Sequence, residues 1–153
     1  YELGSLKMIS CFGVGVDAVN FELTHSRNIS VSNTPDVLNQ AVADIALALI
    51  LATTRNIVNA DRFVRDGRWA QGPFPFGRGL AGKTLGIAGC GRIGEEIADR
   101  ALTFGLEIAY HNRRPKDLPY NYHKSLADLA EASDILLCML PGGAETRKIG
   151  SAS

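Results

Sequence analysis

The apolar positions of residues 82–115 change rhythm twice. Residues 84–88 form a short apolar run suited to a strand; Ile93, Ile97, Ala101 and Phe104 then recur at helical spacing, and residues 106–110 return to a strand-like run. Residues 135–140 are continuously apolar, as in a parallel strand covered on both faces. Between these, residues 118–123 read as a turn and a short strand, and the pair Ser125 and Asp128 caps a helix over 126–132. The order strand, helix, strand, helix, strand predicts a right-handed, parallel, doubly wound α/β sheet of Rossmann type.

The first half is organised differently. Residues 6–12 read as a strand, 18–27 as a short helix and 29–32 as another strand, with the glycine-bearing turn 13–17 after the first of them. Asn33-Thr34-Pro35-Asp36 marks a boundary, because Pro35 forces Thr34 out of helical geometry. This divides the chain into residues 1–34, a piece of one α/β domain, and residues 35–153, the dinucleotide-type sheet. Over residues 41–52 only Asp44 is polar, so this helix is apolar on every side and is expected to be buried between packed units. A helix over 56–65 alternates apolar and charged positions and is expected to be half exposed. Residues 71–79 form a loop whose Phe74 and Phe76 need packing partners. The chain opens on a strand with nothing before it to pair with. It closes soon after residues 145–148, which begin another helix, so the sheet is expected to be truncated.

Chemistry enters at the first of the two rhythm changes, where Gly89-Cys90-Gly91-Arg92-Ile93-Gly94 follows the strand and opens the helix. In such a motif Gly89 makes the tight turn, Gly91 lets a pyrophosphate approach the backbone, and Gly94 lets helix and strand pack closely. The helix N-terminus then offers free N–H groups and a positive dipole end to the anion. Dinucleotide folds that prefer NAD place an acidic residue about 20 positions past the motif to hold the ribose 2′-hydroxyl. Asn112 stands there instead, followed by Arg113 and Arg114, which can fork onto a 2′-phosphate. NADP is therefore expected over NAD, with NAD still able to bind; the competing reading is a pair of solvated arginines ending a strand.

Composition removes several other classes. With 16 basic and 16 acidic residues the net charge is zero, which leaves no electrostatic footprint for nucleic acid or an anionic membrane. The most apolar run is too short to span a bilayer. Cys11, Cys90 and Cys138 are odd in number and widely spaced, without metal-ligand spacing, and read as reduced packing residues; no metal site is expected. A soluble, cytoplasmic protein acting on a small molecule is the expectation.

Several stretches together resemble the D-isomer-specific 2-hydroxyacid dehydrogenases, and within them the glyoxylate/hydroxypyruvate reductase branch. They are Gly13-Val14-Gly15-Val16-Asp17, Val31-Ser32-Asn33-Thr34-Pro35-Asp36-Val37-Leu38, Ala41-Val42-Ala43-Asp44, Gly82-Lys83-Thr84-Leu85-Gly86-Ile87, the glycine motif, and Ser133-Asp134-Ile135 through Leu140-Pro141 with Glu145-Thr146. The resemblance implies that residues 1–34 are the tail of a flavodoxin-like substrate domain. It also implies that Val14 and Gly15 receive a substrate carboxylate on their backbone, and that Arg92 and Ile93 touch the pyrophosphate. Asn112, Arg113 and Arg114 would meet the ribose phosphate, with Met139, Leu140 and Pro141 forming the wall beside the adenosine. Each has a plainer competitor: a simple turn for Val14 and Gly15, helix-start packing for Ile93, core for Met139 and Leu140. Asp44 replaces the glutamate usual in the family and reads as structural.

The family's arginine that holds the substrate carboxylate, histidine that exchanges the proton and glutamate that orients it lie on motifs downstream of Ser153, so no catalytic residue is assigned in this chain. His25, His111 and His123 read as structural. The implied reaction is reduction of a small 2-oxo acid to a D-2-hydroxy acid, with the 153 residues alone expected to be inactive. The family also implies a homodimer formed through residues 33–69. Two other readings stand beside this one: a non-catalytic dinucleotide-sensing module related to corepressors of the same fold, and a piece used as a folding or assembly unit.

Overall fold

The computed structural model describes residues 4–143, 146, 147 and 149. Contacts divide the chain into two compact units, Gln40–Met139 and a smaller one made of Tyr1–Asn39 with Leu140–Ser153.

In the smaller unit, β1 (Met8–Ser10) and β2 (Ser30–Ser32) pair in parallel, with Ile9 opposite Val31, and are joined through helix α1 (Phe21–Ser26). The helix is shorter than its pattern predicts because Asn20 caps it, its side chain accepting the Leu23 N–H at 2.9 Å. The turn after β1 is tied to residues past β2. Thr34 Oγ1 accepts the Gly13 N–H at 2.9 Å, and Asn33 Nδ2 donates to the Val14 carbonyl at 3.0 Å. Residues 141–143 also belong to this unit, where Thr146 Oγ1 donates to the Pro141 carbonyl at 2.6 Å. The helix expected over 145–148 lies partly outside the described residues; Thr146 and Arg147 form a turn.

The larger unit opens with α2 (Asn39–Thr54), bent by 61° at its break from α3 (Ile57–Arg65), and a 3-10 turn over Arg68–Gln71. No single helix among the described residues is long and apolar enough to cross a membrane. The expectation that α2 is buried all round is corrected: Ala43, Ala46, Leu47 and Ile50 are buried, while Ile45 and Leu49 are 56% and 61% exposed. An apolar sequence reports no facing direction, and only one side of this helix meets the core. The loop that follows is half as expected. Phe74 packs on Phe63 with ring centroids 5.2 Å apart, whereas Phe76 is fully exposed.

The sheet contains β3 (Thr84–Ala88), β4 (Glu107–His111), β5 (Asn121–Tyr122) and β6 (Ile135–Cys138), all parallel, in the order β5-β4-β3-β6. Helix α4 (Arg92–Thr103) joins β3 to β4, and α5 (Leu126–Glu131), capped by Ser125, precedes β6. β3 is an inner strand, with Leu85, Gly86, Ile87 and Ala88 all buried. Ile97, Ala98 and Ala101 of α4 and the buried face of α2 share its core. Each fully buried side chain of Leu or Ile size contributes about 1.5–3 kcal/mol by leaving water. β6 departs from expectation. Its pairing ends at Cys138, and Leu136 and Cys138 are exposed, so within this chain one of its faces is open.

Candidate dinucleotide site

The register brings the carboxyl ends of three strands to one level. Ala88 of β3 stands opposite His111 of β4 on one side and Cys138 of β6 on the other. The next residues are therefore Gly89, Asn112 and Met139, which leave the sheet together. The Gly89 N–H donates to the His111 carbonyl at 2.9 Å and the Met139 N–H to the Ala88 carbonyl at 2.8 Å. The chain order also reverses here, since β4 and β5 lie to one side of β3 and β6 to the other. Ligands of open α/β sheets bind at such a switch point, beyond the carboxyl ends of the strands.

The three glycines meet three different demands. Gly89 has φ of +94°, a conformation that side chains with a Cβ avoid. At Gly94 a Cβ would sit 2.9 Å from the Gly89 carbonyl oxygen and 3.3 Å from Ile87 Cγ2, so its absence lets α4 close on β3. Gly91 needs neither exemption: its φ is −92°, and a Cβ there would meet nothing within 4 Å. Open space over a backbone that opens a helix fits close approach by a ligand, and Gly91, as the N-cap of α4, brings no side chain to cap it. Arg92 is exposed and Ile93 half-buried against the core. The fit to a dinucleotide's pyrophosphate thus rests on the loop's own geometry.

The segment carrying Arg113 and Arg114 is clamped to α4. Tyr110, buried at 1% exposure, donates its hydroxyl to the Lys116 carbonyl at 2.8 Å and accepts the Lys116 N–H at 3.1 Å. Lys116 pairs with Glu95, and Tyr120 donates to Asp99 Oδ1 at 2.7 Å. Burial, with the Asp99 hydrogen bond second, pushes the Tyr120 phenol up to about 12. Arg113 and Arg114 are exposed between these anchors. Asn112 is half-buried, with Nδ2 donating to the Cys90 carbonyl at 3.1 Å, and its own carbonyl accepts the Tyr122 hydroxyl at 3.3 Å.

Leu140 and Pro141 fall to the smaller unit, as do Val14 and Gly15, both exposed; Met139 belongs to the larger one. His25 lies in α1, and His111 Nδ1 contacts the His123 carbonyl at 2.9 Å. Asp44 pairs with Arg100, which also reaches the Gln40 carbonyl and Glu96, so Asp44 joins α2 to α4. Cys90 is fully buried inside the glycine motif, and burial, then Glu95, pushes its thiol up to about 11. Cys138 is exposed and so is not the packing residue that its apolar neighbours suggest. The clamp residues Glu95, Asp99, Tyr110, Lys116 and Tyr120 were not visible in the sequence. Their one signal is the placement of Glu95 and Asp99 one turn apart on α4.

The family model for the D-isomer specific 2-hydroxyacid dehydrogenase, NAD binding domain, matches residues 47–153. The chain belongs to that family. The chain is 44% identical over 149 residues to glyoxylate/hydroxypyruvate reductase A of Arabidopsis thaliana, covering 97% of the chain and 48% of the relative. It is 50% identical over 117 residues to the glyoxylate reductase of Thermococcus litoralis, covering 72% of the chain and 35% of that protein. Among solved structures it matches the NADPH-dependent glyoxylate/hydroxypyruvate reductase of Sinorhizobium meliloti in complex with NADP and malonate. The TM-score is 0.89 at 45% identity, covering 95% of this chain and 46% of that structure. The chain spans about half the length of the curated relatives it matches.

Proposed function

We propose that the protein reduces a small 2-oxo acid of the glyoxylate or hydroxypyruvate type to its D-2-hydroxy acid with NADPH, and that this chain supplies the dinucleotide site. The observation that carries the reading is the common level at which Gly89, Asn112 and Met139 leave the sheet, with open space over Gly91. The backbone of Gly89, Gly91, Arg92, Ile93 and Gly94 receives the pyrophosphate. Asn112 stands at the ribose end, Arg113 and Arg114 take the 2′-phosphate, and Met139, Leu140 and Pro141 line the adenosine. Bound NADPH supplies the hydride for the keto carbon, and the Val14 and Gly15 backbone holds the substrate carboxylate. None of these residues carries the proton step.

The clamped arginine segment supports NADPH over NADH, because anchors on both sides reduce the entropy lost when two guanidiniums order around a phosphate. The Sinorhizobium meliloti relative, NADPH-dependent and crystallised with NADP, supports the same choice. We assign residues 1–34 to the end of a flavodoxin-like substrate domain and 35–153 to the dinucleotide domain. We also assign a homodimer formed through residues 33–69, where Ile45, Leu49, Ile57, Val58, Val64 and Trp69 are exposed. The cytoplasm suits a protein that keeps its thiols reduced.

Titration with NADPH and NADH, beside an Arg113→Ala/Arg114→Ala variant, tests the reading. A charge-assisted hydrogen bond contributes about 1.5–3 kcal/mol, so NADPH is expected to bind roughly ten- to a hundredfold more tightly and to fall to the NADH level in the variant. Equal binding of both cofactors rejects the arginine assignment. Binding of neither rejects the site.

A further inference from the structure

Asn112 occupies the position from which a dinucleotide fold selects its ribose, yet its amide is engaged elsewhere. Nδ2 donates to the carbonyl of Cys90, the residue between the first two glycines of the phosphate loop, at 3.1 Å. The bond joins positions 22 apart in sequence and runs beside a backbone bond in which the Gly89 N–H donates to the His111 carbonyl at 2.9 Å. The Asn112 carbonyl is itself held by the Tyr122 hydroxyl at 3.3 Å. The end of β4 therefore grips the phosphate loop through one main-chain and one side-chain bond. The Cys90 side chain is fully buried, so the loop turns about a fixed point.

From this geometry we infer that Asn112 is a positioning residue for the phosphate loop rather than the selector of the ribose, and that nucleotide discrimination lies with Arg113 and Arg114. The inference rests on the reading of this loop as a dinucleotide site. It carries a consequence opposite to the usual expectation. Replacing Asn112 with aspartate supplies the acid of NAD-preferring folds, but an ionised carboxylate cannot donate. It would set an anionic oxygen against the Cys90 carbonyl and push the loop out of register.

The test is titration of the chain with NAD⁺ and NADP⁺, comparing wild type, Asn112→Asp, Asn112→Ala and Arg113→Ala/Arg114→Ala. NAD⁺ lacks the 2′-phosphate and is the deciding ligand. Asn112→Asp is expected to weaken NAD⁺ by about tenfold at neutral pH. Asn112→Ala is expected to weaken both nucleotides by a common factor, while the arginine variant loses NADP⁺ alone. The NAD⁺ affinity of Asn112→Asp should recover as pH falls through the carboxyl range, because the protonated acid can again donate to Cys90; wild type over the same range is the control. Tighter NAD⁺ binding by Asn112→Asp, lost on acidification, would make residue 112 the selector and overturn the inference.

Equal affinity of wild type for the two nucleotides counts against the proposed NADPH preference and leaves the NAD⁺ comparison to decide the role of Asn112. If wild type binds neither, the dinucleotide reading fails and the positioning role is decided in the free protein. There the Cys90 carbonyl carbon and Gly91 amide nitrogen resonances should move in Asn112→Asp and return at low pH; unmoved resonances overturn it. Where Asn112→Asp does not fold, Asn112→Ala carries the same comparison.

Discussion

Asp134 and Thr84 hold each other in both directions: the Asp134 carboxylate accepts the Thr84 N–H at 2.9 Å, and the Asp134 N–H donates to the Thr84 carbonyl at 3.0 Å. The other carboxylate oxygen takes Lys83 Nζ at 2.8 Å. The strands that flank the switch point are thus pinned at their amino ends, and the register that sets their carboxyl ends level starts here. The Lys83 hydrogen bond, then that from Thr84, holds the Asp134 carboxyl below its ordinary value of 3.8. A carboxyl depressed in the folded state stabilises above its unfolded pKa and loses that contribution as pH falls through the folded value. Asp134→Asn is therefore expected to be less stable than wild type near neutrality, with the gap closing below about pH 4. Urea unfolding of both proteins at a series of pH values checks this, and a gap constant with pH would refute the charge argument.

Gly91 and Gly94 separate binding from folding. Alanine at Gly94 would press a Cβ on the Gly89 carbonyl oxygen at 2.9 Å, so Gly94→Ala should lose stability by about 1–3 kcal/mol. Among the described residues, alanine at Gly91 meets nothing within 4 Å beyond its chain neighbours and has an allowed backbone. Gly91→Ala should unfold within about 0.5 kcal/mol of wild type and yet lose dinucleotide affinity. Thermal unfolding beside cofactor titration resolves the two; a Gly91→Ala protein that binds normally would remove the pyrophosphate from this spot.

How much of this could be read beforehand follows from the range of the interactions. β3, the glycine loop and α4 are contiguous, and their apolar spacing and glycines name them without any distant partner. The grip of Asn112 on Cys90 and of Asp134 on Lys83 joins positions 22 and 51 apart, where spacing is silent. Arg113 and Arg114 read in the sequence as charge alone, while the structure adds Tyr110 of β4, which holds Lys116, and Tyr120, which ties the segment to Asp99 of α4. In α2 the sequence signalled burial correctly for Ala43 and Leu47 but not for Leu49, because apolar character states a preference and not which surface satisfies it.

The two outer cysteines should differ from Cys90 in reactivity. Only the thiolate alkylates, and burial keeps Cys90 protonated with its thiol near 11, whereas Cys138 is exposed and Cys11 half-buried. Iodoacetamide at pH 8 followed by peptide mass mapping should label Cys138 first and reach Cys90 only after unfolding. The raised thiol also sets a sign: its contribution is complete below pH 9 and declines as pH rises toward 11. Rapid labelling of native Cys90 would show that the glycine loop opens.

Leu49 and Ile45 lie one turn apart on the uncovered side of α2, 61% and 56% exposed. If the homodimer forms through this region, Leu49→Arg should shift sedimentation from dimer to monomer and leave dinucleotide affinity unchanged. An unaltered dimer would move the interface elsewhere.

Gly86 and Ser133 test how closely α5 and the start of β6 pack over β3. A Cβ on Gly86 would run into Ser133 Oγ and lie 3.0 Å from Ser133 Cβ and 3.1 Å from Leu129 Cγ. Leu129 is fully buried, and rotating the serine hydroxyl relieves only the first of these contacts. Gly86→Ala should therefore cost about 1–3 kcal/mol. Adding Ser133→Ala removes the hydroxyl while keeping the Cβ, so the double variant should recover part of that loss and no more. The interaction energy from the double-mutant cycle should have the sign of a relieved clash. Strict additivity of the two single changes would mean that Ser133 already turns away from Gly86, and that β3 sits more loosely under α5 than these distances require.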